Sequence, residues 1–159
     1  MTGRRLVLPG GMARVVLVSV LALLASAGCG AGTSPAPSVH LTVSGAWIRV
    51  APTIEQPTAA YLVIAEHANT PDALIGASSP AAAMIEIHET TTGMDDMTGM
   101  GSRARLDIPA GGMMKLEPGG FHLMVTGLRK PLVAGTMVEL DLLFEHAGTI
   151  VVQADVRAG

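Results

Sequence analysis

Apolar positions in this chain recur at every second residue or in short unbroken runs. No window of useful length places them at helical spacing. Residues 39–43 (VHLTV) alternate, and residues 46–50 (AWIRV) follow after Ser44-Gly45, a turn pair. Residues 59–65 (AAYLVIA) form a continuous apolar run, which suits a strand buried on both faces. Residues 74–76 are a short segment before the loop 77–80. Over residues 84–88 the alternation returns: Ile85 and Ile87 point one way, and Met84, Glu86 and His88 the other. Residues 106–108, 113–116, 121–125, 136–144 and 149–156 complete the set, with Gly and Pro in almost every gap. Many short, closely spaced strands predict an all-β domain, an antiparallel sandwich or barrel.

The N-terminus follows a different pattern. Residues 15–25 (VVLVSVLALLA) are apolar and are preceded by Arg4, Arg5 and Arg14. A positive start, a short apolar run and small residues after it make a secretory signal, and the run is short for a membrane span. Residues 25–29 (ASAGC) resemble a bacterial lipobox, in which the cysteine is lipidated and becomes the new N-terminus. Ser26 departs from the aliphatic residue usual at its position. The expected organisation is a signal peptide over 1–28, a flexible tether over 29–38 (CGAGTSPAPS) and a β domain over 39–157. The protein is then extracytoplasmic, anchored through lipid on Cys29 to the outer face of the cytoplasmic membrane.

Composition narrows the function. Cys29 is the only cysteine, so the domain folds without an intramolecular disulfide. Loss of residues 1–28 moves the formal charge from −3 to −6, because all 13 acidic residues remain against seven basic ones. An acidic domain is a poor match for nucleic acid. No nucleophile–base constellation, paired acids in a polar cleft or phosphate loop suggests an enzyme.

The candidate chemistry lies between His88 and Met124, which holds two of the five histidines and six of the ten methionines. Met94, Met97 and Met100 sit among Thr, Gly and Asp, where a thioether is not core filling. In residues 121–125 (FHLMV) the pleat sends Phe121, Leu123 and Val125 to the core and His122 and Met124 together to the outer face. Two strands of one barrel could bring His88 and His122 together at one rim. The polar loop over 90–101 would fold one of its methionines over them, although the residues alone do not say which. Imidazole and thioether without thiolate or carboxylate select soft Cu(I). The missing cysteine argues against a blue-copper electron carrier. His40, His67 and His146 read as surface residues, and Met84 and Met137 as packing.

This segment resembles the ligand motif of the periplasmic copper chaperone PCu(A)C family: a His, often followed by Met, then ten residues, Met, twenty-one residues and His-x-Met. His88 takes the first place, Glu89 stands where the optional Met would be, Met100 follows, and His122-Leu123-Met124 closes the motif. Residues 46–49 (AWIR), 58–62 (TAAYL) and 116–128 (LEPGGFHLMVTGL) are also similar to the family. The resemblance implies a cupredoxin-like Greek-key β-barrel holding one Cu(I) near its surface through His88, Met100, His122 and Met124, with Met94 and Met97 as auxiliaries. It also implies delivery to an acceptor outside the cytoplasmic membrane, the copper centre of cytochrome c oxidase or another copper chaperone. A copper-sequestering lipoprotein, or one that binds no metal, is the alternative.

Overall fold

The computed structural model describes residues 40–92 and 98–159. The expected signal peptide over 1–28 and tether over 29–38, with Cys29, and also Met94 and Met97, lie outside the described residues. Ten strands account for the regular structure, and among the described residues there is no helix.

The strands are β1 (Leu41–Arg49), β2 (Thr58–Glu66), β3 (Asp72–Ser78), β4 (Ala82–Thr92), β5 (Thr98–Arg103), β6 (Leu106–Ile108), β7 (Met113–Leu116), β8 (Phe121–Leu128), β9 (Met137–Phe144) and β10 (Gly148–Arg157). Seven of them close a barrel in the order β4-β8-β2-β1-β10-β9-β3, with β3 returning to β4. β1 and β10 pair in parallel, and the other pairings are antiparallel. β5 extends the sheet from β4, β6 pairs with β3, and β7 lies along β2. The expected all-β, cupredoxin-like barrel is the observed architecture.

Period-two patterning produces the core. In β9, Val138, Leu140, Leu142 and Phe144 are buried, while Met137, Glu139 and Leu143 face out. Ile48, Leu62, Ile64, Leu74, Ile108, Leu123, Val125 and Val156 meet them inside. Burying one such side chain contributes on the order of 2 kcal/mol.

Two irregularities shape the functional face. Ser44-Gly45 is not a turn between two strands, as its composition suggested. β1 runs straight through it with a bulge between Ser44 and Trp47. Gly45 takes a φ of 60°, a conformation that costs glycine little. A one-residue slip exchanges the two faces of a strand. Leu41 points inward before the bulge and Ile48 after it, which leaves Trp47 on the outside. The second irregularity separates β7 from β8. Both pair with β2, through Leu62–Leu116 and Ala60–Leu123, and residues 117–120 loop out between them. The Glu117 amide donates to the Phe121 carbonyl at 2.8 Å and the Gly120 amide to the Glu117 carbonyl at 3.0 Å. At its tip Gly119 has a φ of 83° and no atom near its missing Cβ.

In the region 90–101, expected as a flexible loop, the described residues 90–92 and 98–101 are strand. β4 continues to Thr92, β5 begins at Thr98, and six residue pairs from Ile87–Arg103 to Thr92–Thr98 join them. An ion pair between Arg103 and Glu89 at 2.6 Å spans the two strands.

Candidate metal centre

β4 and β8 run antiparallel with His88 directly opposite His122 and Glu86 opposite Met124. Side chains directly opposite on an antiparallel pair have Cβ atoms about 5 Å apart. The imidazole centroids are 5.8 Å apart, with their planes at 50°. One ion between them can reach a nitrogen of each at the usual metal–imidazole distance of about 2.0–2.1 Å. On the other side of β4, Met100 of β5 pairs with Thr90, and Ser102 with His88. Strand parity therefore puts Glu86, His88, Thr90, Met100, His122 and Met124 on one outward face.

That face does not leave its histidines open to water. His122 is 5% exposed, a correction to the expectation of an exposed imidazole at a rim. The covering comes from a row of planar groups on neighbouring strands. Arg157 lies 4.6 Å over the Trp47 ring, Trp47 and Tyr61 are 4.5 Å apart, and Tyr61 is 6.4 Å from His122. The bulge in β1 that turns Trp47 outward makes this row. Neither Trp47 nor Tyr61 carries a soft donor atom suited to Cu(I), so a pattern of Cu(I) ligands does not single them out.

The two imidazoles differ in their partners. His122 Nδ1 lies 3.1 Å from the Gly120 carbonyl, which also accepts the Thr90 amide at 3.1 Å. A carbonyl only accepts, so Nδ1 carries the proton and Nε2 keeps its lone pair, the arrangement that prepares an imidazole for metal. Both nitrogens of His88 are buried, with no hydrogen-bond partner among the described residues. Buried polar atoms in folded proteins nearly always find a partner, and an orphan needs a reason. The nearest charged group, Oε2 of Glu86, is 3.7 Å from Nε2 of His88, too far for a hydrogen bond.

A cleft of about 450 Å³ opens beside the pair. Met100, His122 and Met124 line it, together with Tyr61, Pro118 and Gly119 of the excursion. Met124 is half-buried, while Met100 is 62% exposed on the outermost strand. Among the described residues no three His, Cys, Asp or Glu side chains converge to hold an ion. For an ion between the two imidazoles, the thioethers of this face are further donors at hand.

The other sulfur and imidazole groups lie elsewhere. His40, His67 and His146 are exposed. His40 and His146 share a separate cavity with Glu66 and Asp72. Met84 and Met137 are more than half exposed, against the expectation of packing. They sit on the outward side of their alternating strands. Asp72 in that second cavity is buried and fully engaged. Burial alone would raise its carboxyl pKa, but hydrogen bonds from the amides of His146, Ala73 and Ala147 outweigh it and hold the group below its ordinary value.

The family model described as "Putative lipoprotein LpqE-like" matches residues 41–156. "Putative lipoprotein Lxx21020" of Leifsonia xyli subsp. xyli (strain CTCB07) is 34% identical over 115 residues, 72% of this chain and 68% of that one. Among solved structures, the copper-bound PCuAC domain from PmoF2 superposes with a TM-score of 0.64 at 23% identity, over 76% of this chain and 94% of the other. The apo PCuAC domain from PmoF1 gives 0.65 at 26% identity, over 76% and 95%. The solution structure of CuI-DR1885 from Deinococcus radiodurans gives 0.58 at 33% identity, over 72% and 76%. With the model match spanning the whole barrel, the chain belongs to the LpqE-like lipoprotein family, whose folded domain is of the PCuAC type.

Proposed function

We propose that this protein is an extracytoplasmic copper carrier that binds one Cu(I) through His88, Met100, His122 and Met124 and hands it to an acceptor protein. The observation that carries this reading is the cross-strand histidine pair. His122 is held with Nε2 free, and both ring nitrogens of His88 are buried and unpartnered among the described residues, on a face that also presents two thioethers. Imidazole with thioether donors suits Cu(I), and the thioethers give zinc little hold. The copper-bound PmoF2 domain and CuI-DR1885 share the fold, which supports copper as the cargo.

The arrangement suits transfer. The imidazoles lie on a paired, covered part of the sheet and form the fixed half of the site. Met100 stands on the edge strand, beside the open cleft, and is the ligand a partner can displace first. An incoming donor from the acceptor enters through the cleft and takes the place of Met100, so the ion passes without being released to water. The copper centre of cytochrome c oxidase is the acceptor we favour. The lipobox-like sequence at Cys29 would keep the carrier at the membrane that holds such an acceptor. Met94 and Met97 follow β4 in sequence and serve as auxiliary ligands.

Anaerobic titration of the full chain with Cu(I) against a competing Cu(I) chelator tests the reading. One tightly bound equivalent, lost in His88→Ala and His122→Ala, is expected. A chain that binds no Cu(I) in competition with the chelator would be a lipoprotein of some other use. Substituting Cys29→Ser should move the protein out of the membrane fraction; an unchanged distribution would remove the lipid anchor from the account.

A further inference from the structure

Glu86 stands among the soft donors. It is directly opposite Met124 and two residues before His88 on the same face of β4. Its carboxylate oxygen is 3.7 Å from His88 Nε2. That separation is long for a hydrogen bond, and His88 is left without one. It does match the distance two donors keep across a shared ion. Metal–nitrogen and metal–oxygen bonds of about 2.0–2.2 Å place the two donors roughly 3 to 4 Å apart.

We infer that Glu86 is a further metal donor, and that it gives the histidine pair a second ligand set suited to Cu(II). This rests on the copper reading of the same face. Cu(I) is soft and takes the thioethers of Met100 and Met124. Cu(II) favours nitrogen and oxygen donors in a tetragonal arrangement. His88 and His122 serve both ions. The carboxylate and water complete the set for Cu(II), and the thioethers complete it for Cu(I). The two imidazoles and the carboxylate do not converge without an ion. Glu86 can close that gap because its side chain is 44% exposed and has room to turn, while His122 is held by the Gly120 carbonyl. The carboxylate also supplies the negative charge that a divalent ion needs and a monovalent ion needs less. Two thioethers alone offer none.

The consequence is a carrier that retains copper in either oxidation state, with Glu86 deciding only one of them. The test is a pair of titrations on the full chain and on Glu86→Gln, which keeps the size of the side chain and removes its charge. Cu(I) is measured anaerobically against a Cu(I) chelator. Cu(II) is measured against a Cu(II) chelator, with electron paramagnetic resonance of the loaded protein. The expected result is a loss of about tenfold or more in Cu(II) affinity, the range seen when a supporting ligand is removed. The Cu(II) spectrum should change, and Cu(I) affinity should stay within about threefold. Equal Cu(II) affinity and an unchanged spectrum in Glu86→Gln would overturn the inference while leaving the Cu(I) site standing. Equal losses for both ions would overturn it too, since Glu86 would then act only by positioning His88. A wild-type chain that takes up no Cu(I) would instead overturn the carrier reading. Matching melting temperatures for the two proteins exclude a folding defect as the cause.

Discussion

Asp72 and His88 both carry buried polar atoms on a barrel of apolar strands, and the surroundings of those atoms are opposite. The Asp72 carboxylate accepts three backbone amides, from Ala73, His146 and Ala147, at 2.7 to 3.0 Å. It ties the start of β3 to the turn after β9. Among the described residues, the two ring nitrogens of His88 find no donor or acceptor. A satisfied buried group is part of what holds a fold together, whereas an unsatisfied one costs about 1–3 kcal/mol and persists only if something else requires it. The contrast separates structural polarity from polarity kept for a ligand, with no reference to which residues a motif names.

The comparison breaks most sharply at the imidazole. His88→Leu should lower Cu(I) affinity by more than the roughly 10–100-fold that loss of an outer partner costs. The same change should leave the apo domain at least as stable as wild type, since it removes an orphaned polar group. Chemical denaturation beside chelator competition checks both halves, and a marked loss of apo stability would mean that His88 is structural. Asp72→Ala should do the reverse. Three amides lose their acceptor, for a destabilisation of about 2–4 kcal/mol, while Cu(I) affinity is unchanged.

Met100→Ala is expected to weaken Cu(I) binding less than either histidine change. Its thioether is held on an exposed edge, and Met94 and Met97 follow nearby in sequence. Combining it with Met94→Ala and Met97→Ala should deepen the loss. Affinities against one chelator rank the variants, and a Met100→Ala effect as large as that of His122→Ala would remove Met100 from its role as the displaceable ligand.

Acid sharpens the contrast further. The folded-state pKa of Asp72 is lowered, so its stabilisation is complete above the ordinary aspartate value of about 3.9 and is lost as pH falls through the lower folded value. Stability measured from pH 6 downward should fall in that acidic window for wild type and fall less for Asp72→Asn. The smallest effect is expected at Arg103. Its ion pair with Glu89 is half-exposed, and Arg103→Ala should cost no more than about 1 kcal/mol.

Some of this was legible in the residues themselves. A period of two is a local property, set by the alternating direction of side chains along any strand. The strands over 121–125 and 136–144, the inward Leu123 and Val125, and the outward partnership of His122 and Met124 could therefore be read directly. Ser44-Gly45 was misread because a turn and a bulge use the same residues. Only the pairing of β1 with β2 distinguishes them, and pairing partners lie far away in sequence. The same limit hid the strand under Met100, since residues 98–103 (TGMGSR) have little strand character of their own and are held by β4. Sequence alone placed imidazole and thioether on outward positions. It could not show that Tyr61, backed by Trp47, would lie beside His122, that the Gly120 carbonyl would fix its proton, or that His88 would be left without a partner among the described residues. Those are facts about which atoms meet across strands, and register decides them.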